Sequence, residues 1–359
     1  MVADDIDTPH ALVDQAWDLY DARNLNLAIG RAAQAMAALV AMGEGRSPDA
    51  ANACDALANA ALDLAEYPVA LAASARADEI LDETPAIDDP NLRALRFAVA
   101  VTRVRAHRSA GSYDLAQWRL DQLTATMATA AGPVGDRAVL LNELGITCTY
   151  RGDFGRAQRA YLEAMSLVLA RGDAALEAAL LHNLGGVYHA MGELLRAERY
   201  ARAGLSLRRA PLAVAADSVA LAAIVIDAGR AAEARWLVVE ALQVYEAAFP
   251  AGHVECGVAT VLLARIDLEL GDLDDAGALA RRGVALLTRY LGEAHPKVAD
   301  ARATLALAAW QAGDREVALA ELASAHAVCV IALGSEHPRA REVATLVRTW
   351  QCAITAAVS

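Results

Sequence analysis

The sequence predicts an all-α solenoid. Three observations carry that expectation. First, 88 of the 359 residues are Ala, against 3 Phe and 10 Pro. So much Ala with so few aromatics favours close-packed helices over sheet. Second, Gly is followed five residues later by Ala at Gly111/Ala116, Gly152/Ala157, Gly192/Ala197, Gly229/Ala234, Gly271/Ala276 and Gly313/Ala318. Third, with the weaker copies at Ala28 and Ala70, these alanines recur at intervals of 42, 46, 41, 40, 37, 42 and 42 residues. A period in that range marks a stacked helical repeat.

Each element follows from the unit. A helix carrying Leu beside a small residue runs into a Gly turn, as at Leu144-Gly145 before Gly152 and Leu184-Gly185 before Gly192. Gly supplies the left-handed conformation that ends a helix. A second helix follows, with Ala where it crosses the first. Neither helix buries its apolar face alone, so units stack. The first two copies lack the turn Gly, with Arg23 and Ala65 in its place, and copy three has Arg103 where Leu is expected. Those repeats are expected to be degenerate, over residues 10–130, with clearer repeats over 131–338. Breaks are expected at Gly43 to Pro48, Asp82 to Pro90, Gly132 to Asp136 and Arg208 to Pro211, all short and containing Pro or Gly. Residues 339–357 read as a helix capping the last repeat. The expectation is one continuous array over 1–359, with no appended module.

The pattern Leu144-Gly145, Gly152, Ala157, with Tyr161 four residues on, resembles the tetratricopeptide repeat. Tyr290-Leu291-Gly292-Glu293-Ala294-His295-Pro296 and Ala332-Leu333-Gly334-Ser335-Glu336-His337-Pro338, with a degraded copy ending in His253, resemble its kinesin-light-chain variety. The resemblance covers roughly residues 10 to 340 and is strongest from 138. It implies a right-handed superhelix of about eight helix-turn-helix repeats. It also implies an inner groove lined by the first helix of each pair, and a role in protein–protein contact.

Composition removes other classes. The net charge is −13, and binding nucleic-acid phosphates needs a basic surface. All but one of the 32 cationic residues are Arg, Lys297 being the exception, a bias expected of a GC-rich bacterial genome. The N-terminus is acidic, unlike a signal peptide, and no uncharged apolar run approaches 18 residues, so no membrane span is expected. Five scattered cysteines (Cys54, Cys148, Cys256, Cys329, Cys352) suit reduced thiols. The reading is a bacterial protein of the cytoplasm.

Counting back from each turn places the groove-facing residues about 13, 10, 6 and 3 positions before it. That stripe holds Trp17 and Tyr20 in copy one, Asn59 in copy two, and Arg105 and Arg108 in copy three. It continues with Asn142 and Thr149, His182 and His189, Arg265, and Trp310 in copies four, five, seven and eight. Copy six is apolar throughout (Ala216, Val219, Ala223, Ile226). Arg offers a planar donor fork and Asn both donor and acceptor, which suits a peptide backbone or a carboxylate. Arg105, Arg108, Asn142 and His182 together read as an anion-binding patch, steering an acidic ligand inward. The bland alternative is a solvated face, or pairing with neighbouring acids.

Other constellations read as structure. The recurring His-Pro is a turn in which Gly ends one helix and Pro opens the next. His182 and His189 sit ~10 Å apart along a helix, too far to share a metal with Cys148 easily. Cys256 near His253 lacks a third group to orient a base. No phosphate loop, H-E-x-x-H or G-x-S-x-G is present. The sequence therefore predicts a non-catalytic scaffold without cofactor or metal. It would bind a protein or peptide, acidic or with a free carboxylate, and neither nucleic acid nor membrane; an oligomer stays open. The alternative is a peptide- or small-ligand sensor. With the first repeat near residue 10, its effector would act in trans. An enzyme with its site in the groove is the least favoured reading.

Overall fold

The computed structural model describes residues 8–85, 89–129 and 133–358. These form seventeen helices and, among the described residues, no strand. The chain divides into two compact units, Met1–Gly132 and Pro133–Ser359.

The first unit holds three antiparallel pairs: α1 (Pro9–Asp21) with α2 (Leu25–Ala41), α3 (Pro48–Asp63) with α4 (Tyr67–Glu83), and α5 (Pro90–Ser109) with α6 (Tyr113–Thr129). The second unit holds five: α7 (Val134–Tyr150) with α8 (Phe154–Leu169), α9 (Ala174–Ala190) with α10 (Leu194–Leu207), α11 (Pro211–Asp227) with α12 (Ala231–Ala248), α13 (Val254–Leu270) with α14 (Leu273–Leu291), and α15 (Pro296–Gln311) with α16 (Arg315–Leu333). A last helix, α17 (Pro338–Val358), packs on α16 and contributes Ala340, Val343 and Trp350 to the terminal core. Parts of two expected breaks, residues 86–88 of the second and residue 132 of the third, lie outside the described residues.

The repeat grammar is visible in the packing. All eight periodic alanines, Ala28 to Ala318, are fully buried. Gly145 lies against Tyr161: a Cβ there would stand 2.4 Å from the Tyr161 ring. Six turn glycines have positive φ, from Gly111 at 79° to Gly313 at 88°. Arg23 and Ala65 occupy the same conformation, at φ 62° and 61°. The turn thus forms without Gly, at the steric cost of a Cβ in the left-handed region. Arg103, where Leu was expected, reaches Asp78 at 2.6 Å; Arg119 meets the same carboxylate at 2.8 Å.

Helix starts are capped from the sequence. Thr8 and Ser47 accept from Ala11 and Ala50 backbone N–H groups ahead of Pro9 and Pro48. In the His-Pro turns, His295 and His337 each accept, through Nδ1, the N–H two residues on; His253 does the same ahead of Val254. Each imidazole is an N-cap. His337 does a second thing. Its Nε2 lies 3.1 Å from the Tyr150 carbonyl, 187 residues earlier, while Pro338 packs on Gly152. The start of α17 thereby touches the first turn of the second unit.

In each unit the first helices of successive pairs pack on one another, whereas the second helices are in extensive contact only with first helices and, for α16, with the terminal α17. The first helices are the inner layer, as the resemblance implied. The expectation of no membrane-length apolar segment needs correction. α16 is the one helix among the described residues that is long and apolar enough to span a membrane, with mean hydropathy 1.7. The test for an uncharged run missed it because Glu316 and Glu321 interrupt the apolar residues. α16 packs as the second helix of the eighth pair.

Candidate functional site

The candidate residues fall into two groups on the inner layers. In the first unit, α1, α3 and α5 bring four of them into one network. Trp17 Nε1 donates to Asn52 Oδ1 at 2.9 Å and meets Tyr20 edge-on, ring centroids 5.6 Å apart. Burial, together with the Asp63 carboxylate, pushes the Tyr20 phenol up to about 12. Arg23 holds Asp63 at 2.6 Å. Asn59 donates to Thr102 Oγ1 (3.1 Å) and to the Asp55 carbonyl (3.0 Å), and accepts from Arg105 at 3.3 Å. Arg108 is also engaged in contacts of its own.

Asp55, on the same stripe but not among the residues singled out on it, sits among the polar groups of this network. It is buried, and its Oδ1 has no hydrogen-bond partner. Burial pushes its carboxyl up to about 6, with Thr102 and Arg105 pulling the other way. The count of ten before the turn did place Asp55 on the inner stripe. Its type, an acid among Asn and Arg, concealed its weight.

In the second unit the candidate side chains pair with residues one repeat away. Asn142 Oδ1 accepts from Asn183 Nδ2 at 2.8 Å. His182 Nδ1 lies 2.7 Å from buried Asp217, which also binds Arg208 at 3.0 Å. His189 Nε2 lies 2.6 Å from Asp227, and Arg265 pairs with the other oxygen of the same carboxylate. Burial raises the Asp227 carboxyl, but His189 and Arg265 outweigh it and hold the group below its ordinary range. Asp227 therefore bridges α9, α11 and α13. Asp63 holds the same place in its repeat, two residues before the turn, a register the stripe did not count.

The remaining candidates are tied to packing. Thr149 donates to the Gly145 carbonyl at 2.8 Å and lies 3.4 Å from the Tyr161 hydroxyl. Trp310 stacks on Trp350 at 4.4 Å, with the Arg315 guanidinium 3.9 Å over its ring. Among the described residues no three His, Cys, Asp or Glu side chains gather to hold a metal ion. Four of the five free thiols are buried. Burial pushes Cys54 and Cys329 up to about 11, far from thiolate reactivity.

Chemically, these faces present donors and acceptors in matched pairs. His189, Asp227 and Arg265 are each partly open to solvent. A ligand there meets a preorganised imidazole–carboxylate–guanidinium row, and any carboxylate it brings competes with Asp227 for Arg265.

Comparison with known proteins agrees with this geometry. Two sequence profiles of the tetratricopeptide repeat match, over residues 136–210 and 298–339. No curated protein sequence matches the chain. Among solved structures, the Rap conjugation gene regulator of plasmid pLS20 in complex with the Phr* peptide is similar, with TM-score 0.62, 14% identity, and 92% of this chain and 98% of that one covered. The apo quorum sensor NprR from B. thuringiensis gives TM-score 0.61 at 13% identity, covering 88% and 86%. NprR in complex with its cognate peptide NprX gives 0.58 at 14%, covering 80% and 81%. At such identities the likeness is one of fold.

Proposed function

Since the chain is a tetratricopeptide-repeat protein, we propose that it binds a peptide or a segment of a partner protein on its inner layer, without chemistry of its own. The observation that carries this is the His189–Asp227–Arg265 row, a partly open set of donors and acceptors spanning three inner helices. The partner is acidic or ends in a free carboxylate, and it binds by displacing Asp227 from Arg265 and His189. The protein acts in the cytoplasm.

A second reading, a peptide-sensing regulator acting on an effector in trans, draws on the similar structures that hold peptides. The two readings share a site and differ in consequence. Peptides selected from a random library against the full chain test both. Binding by titration calorimetry should fall at least about tenfold in Arg265→Glu. Arg105→Glu/Arg108→Glu tests the first unit in the same way. Unchanged affinity in all of these variants refutes an inner-layer site. A radius of gyration that shifts when the selected peptide saturates the protein favours the sensor; an unchanged radius favours the scaffold.

A further inference from the structure

One glycine of the second unit's inner layer has no packing reason to be there. Gly in the middle of a helix weakens it relative to Ala. Three other glycines of the first helices return that cost in close contacts: a Cβ at Gly145, Gly185 or Gly257 would stand 2.4, 3.2 or 2.8 Å from Tyr161, Ala201 or Leu287. Gly135, in the first turn of α7, lies against Arg171. Gly186, in the interior of α9, is exposed, and a Cβ there would meet nothing within 4 Å. Among the described helical glycines only Gly30 shares that openness, and it lies on a second helix, α2.

What surrounds Gly186 follows from helix geometry. It stands six residues before its turn, and Ala223 stands at the same count on α11, the next inner helix, partly open as well. Residues three and four apart share a helix face, with Cβ atoms about 6 Å apart. One turn before this pair stand His182 and Val219; one turn after it stand His189 and Asp227. Arg265 reaches from α13 to the Asp227 carboxylate that also meets His189. The two small residues are therefore the floor of a notch, and the larger side chains are its rim. His182 is fixed within that rim: its Nδ1 meets buried Asp217 at 2.7 Å, and Asp217 is held by Arg208. With the proton on Nδ1, Nε2 is an acceptor, and among the described residues it has no partner.

Shape and charge together select the occupant. The notch offers an apolar floor at Ala223 and Val219, a guanidinium one turn away, and an acceptor on the opposite rim. It asks for an apolar side chain and a carboxylate a few Å apart, with an N–H behind them. Within a polypeptide an internal residue carries either an apolar side chain or a carboxylate. The C-terminal residue carries both on one Cα. Its carboxylate takes Arg265 from Asp227, which keeps His189, so each anion retains a partner. The peptide's N–H groups run back toward His182. The unit also closes on itself where His337 and Pro338 meet Tyr150 and Gly152, which favours entry by a chain end over entry by the middle of a folded partner.

We propose that the notch over Gly186 and Ala223 is the specificity pocket for the last residue of the bound peptide. A large apolar side chain, that of Leu, Ile, Met or Phe, fills it, and the terminal carboxylate of the same residue sits on Arg265. Gly186 sets the size that is accepted. The pocket rests on the inner-layer binding proposed for the chain and adds to it which residue the peptide must end in.

Short synthetic peptides with free carboxylates, random at every position, selected against the full chain test the pocket. The wild type should enrich Leu, Ile, Met or Phe at the last position. Gly186→Leu, whose Cβ meets no neighbour, should keep the helical spectrum and bind those peptides at least about tenfold more weakly. Selected afresh, it should take Gly or Ala at the last position. Gly30→Leu on α2 should behave as wild type. For the best wild-type peptide, amidation of the C-terminus should cost as much as Arg265→Glu and nothing further in that variant. Binders without a preferred last residue, or a preference that Gly186→Leu leaves unchanged, overturn the pocket; if Arg265→Glu still weakens them, the inner-layer site stands. If neither Gly186 nor Arg265 matters, the pocket falls, and unchanged binding in Arg105→Glu/Arg108→Glu then removes the inner-layer site as well. A chain that enriches no peptide overturns both. Free leucine that binds as tightly as the peptide would overturn the peptide's end in favour of a free amino acid.

Discussion

The two units build one repeat with different inner layers. In the first, polar side chains are sunk into the packing: Asp55, Asn59 and Thr102 are all buried between inner helices. In the second, the α11 stripe is apolar at Val219 and Ile226, the buried acids Asp217 and Asp267 are each held by an Arg, and Asp227 staples three inner helices nearer the surface. The turns differ as well. The second unit puts Gly at every left-handed turn between paired helices, while the first puts Arg23 and Ala65 at two of its three. The helix pair thus survives losing its most legible residue, because the buried Ala crossings hold it, and strain accumulates instead in the first unit.

Several substitutions would break or sharpen that contrast. The largest effect is expected at Gly145→Ala. Tyr161 is fully buried against Gly145 and cannot retreat, so overpacking should cost about 3 kcal/mol of the second unit's unfolding free energy, read by denaturant titration. The first-unit counterparts, seven residues before their turns, already carry side chains: Ala16, Ala58 and Val104.

Next is Asp55→Asn. The folded carboxyl is raised to about 6, above its unfolded value. The favourable contribution of its protonated form is complete at low pH and is lost as pH rises through about 6. Asp55→Asn should therefore stabilise the first unit at pH 8, on the order of 2 kcal/mol, and flatten its pH dependence between 4 and 8. Thr102 and Arg105 face the group and are retained in that variant.

Exchanging turn residues comes third. Ala65→Gly should stabilise by about 1 kcal/mol, and Gly229→Ala should destabilise by a similar amount, both read by thermal unfolding. If Ala65→Gly brings nothing, the first unit is not strained at its turns.

The smallest effect concerns His337. Burial lowers its pKa; the Tyr150 carbonyl and Asp300 oppose this. The neutral ring caps α17, so that stability is full above the ordinary histidine value of about 6.5 and is lost as pH falls below it. Between pH 7.5 and 5.5 the second unit should lose a little stability at this group, read by thermal unfolding, and His337→Asn, which keeps a cap acceptor, should lose less.

Much of the fold was legible. The alanine period located every helix pair, even the first two, which lack the turn Gly, and the His-Pro turns were read as structure, although their role as N-caps needed coordinates. The site was less legible. Residue types on the stripe suggested open cations, yet Arg265 and His189 share Asp227, and His182 has Asp217. A partner one repeat away lies 35 to 38 residues off in sequence, and no local pattern announces it. Trp310 was read as groove-facing, but Trp350 arrives from the capping helix to stack on it, a contact invisible to any count made within a repeat. α16 escaped notice because hydrophobicity alone does not say which face a core already occupies.

The touch between His337 and the Tyr150 carbonyl alters what kind of object the second unit is. An open stack of repeats is indifferent to its own length: units can be added or deleted, and each end frays on its own. A stack whose last helix rests on its first turn has lost that indifference. Removing one of the pairs between α9 and α16 would carry His337 away from its seat, and duplicating one would carry it past. Repeat number, elsewhere a freely drifting quantity, is here a fixed dimension that evolution can change only by rebuilding both ends together.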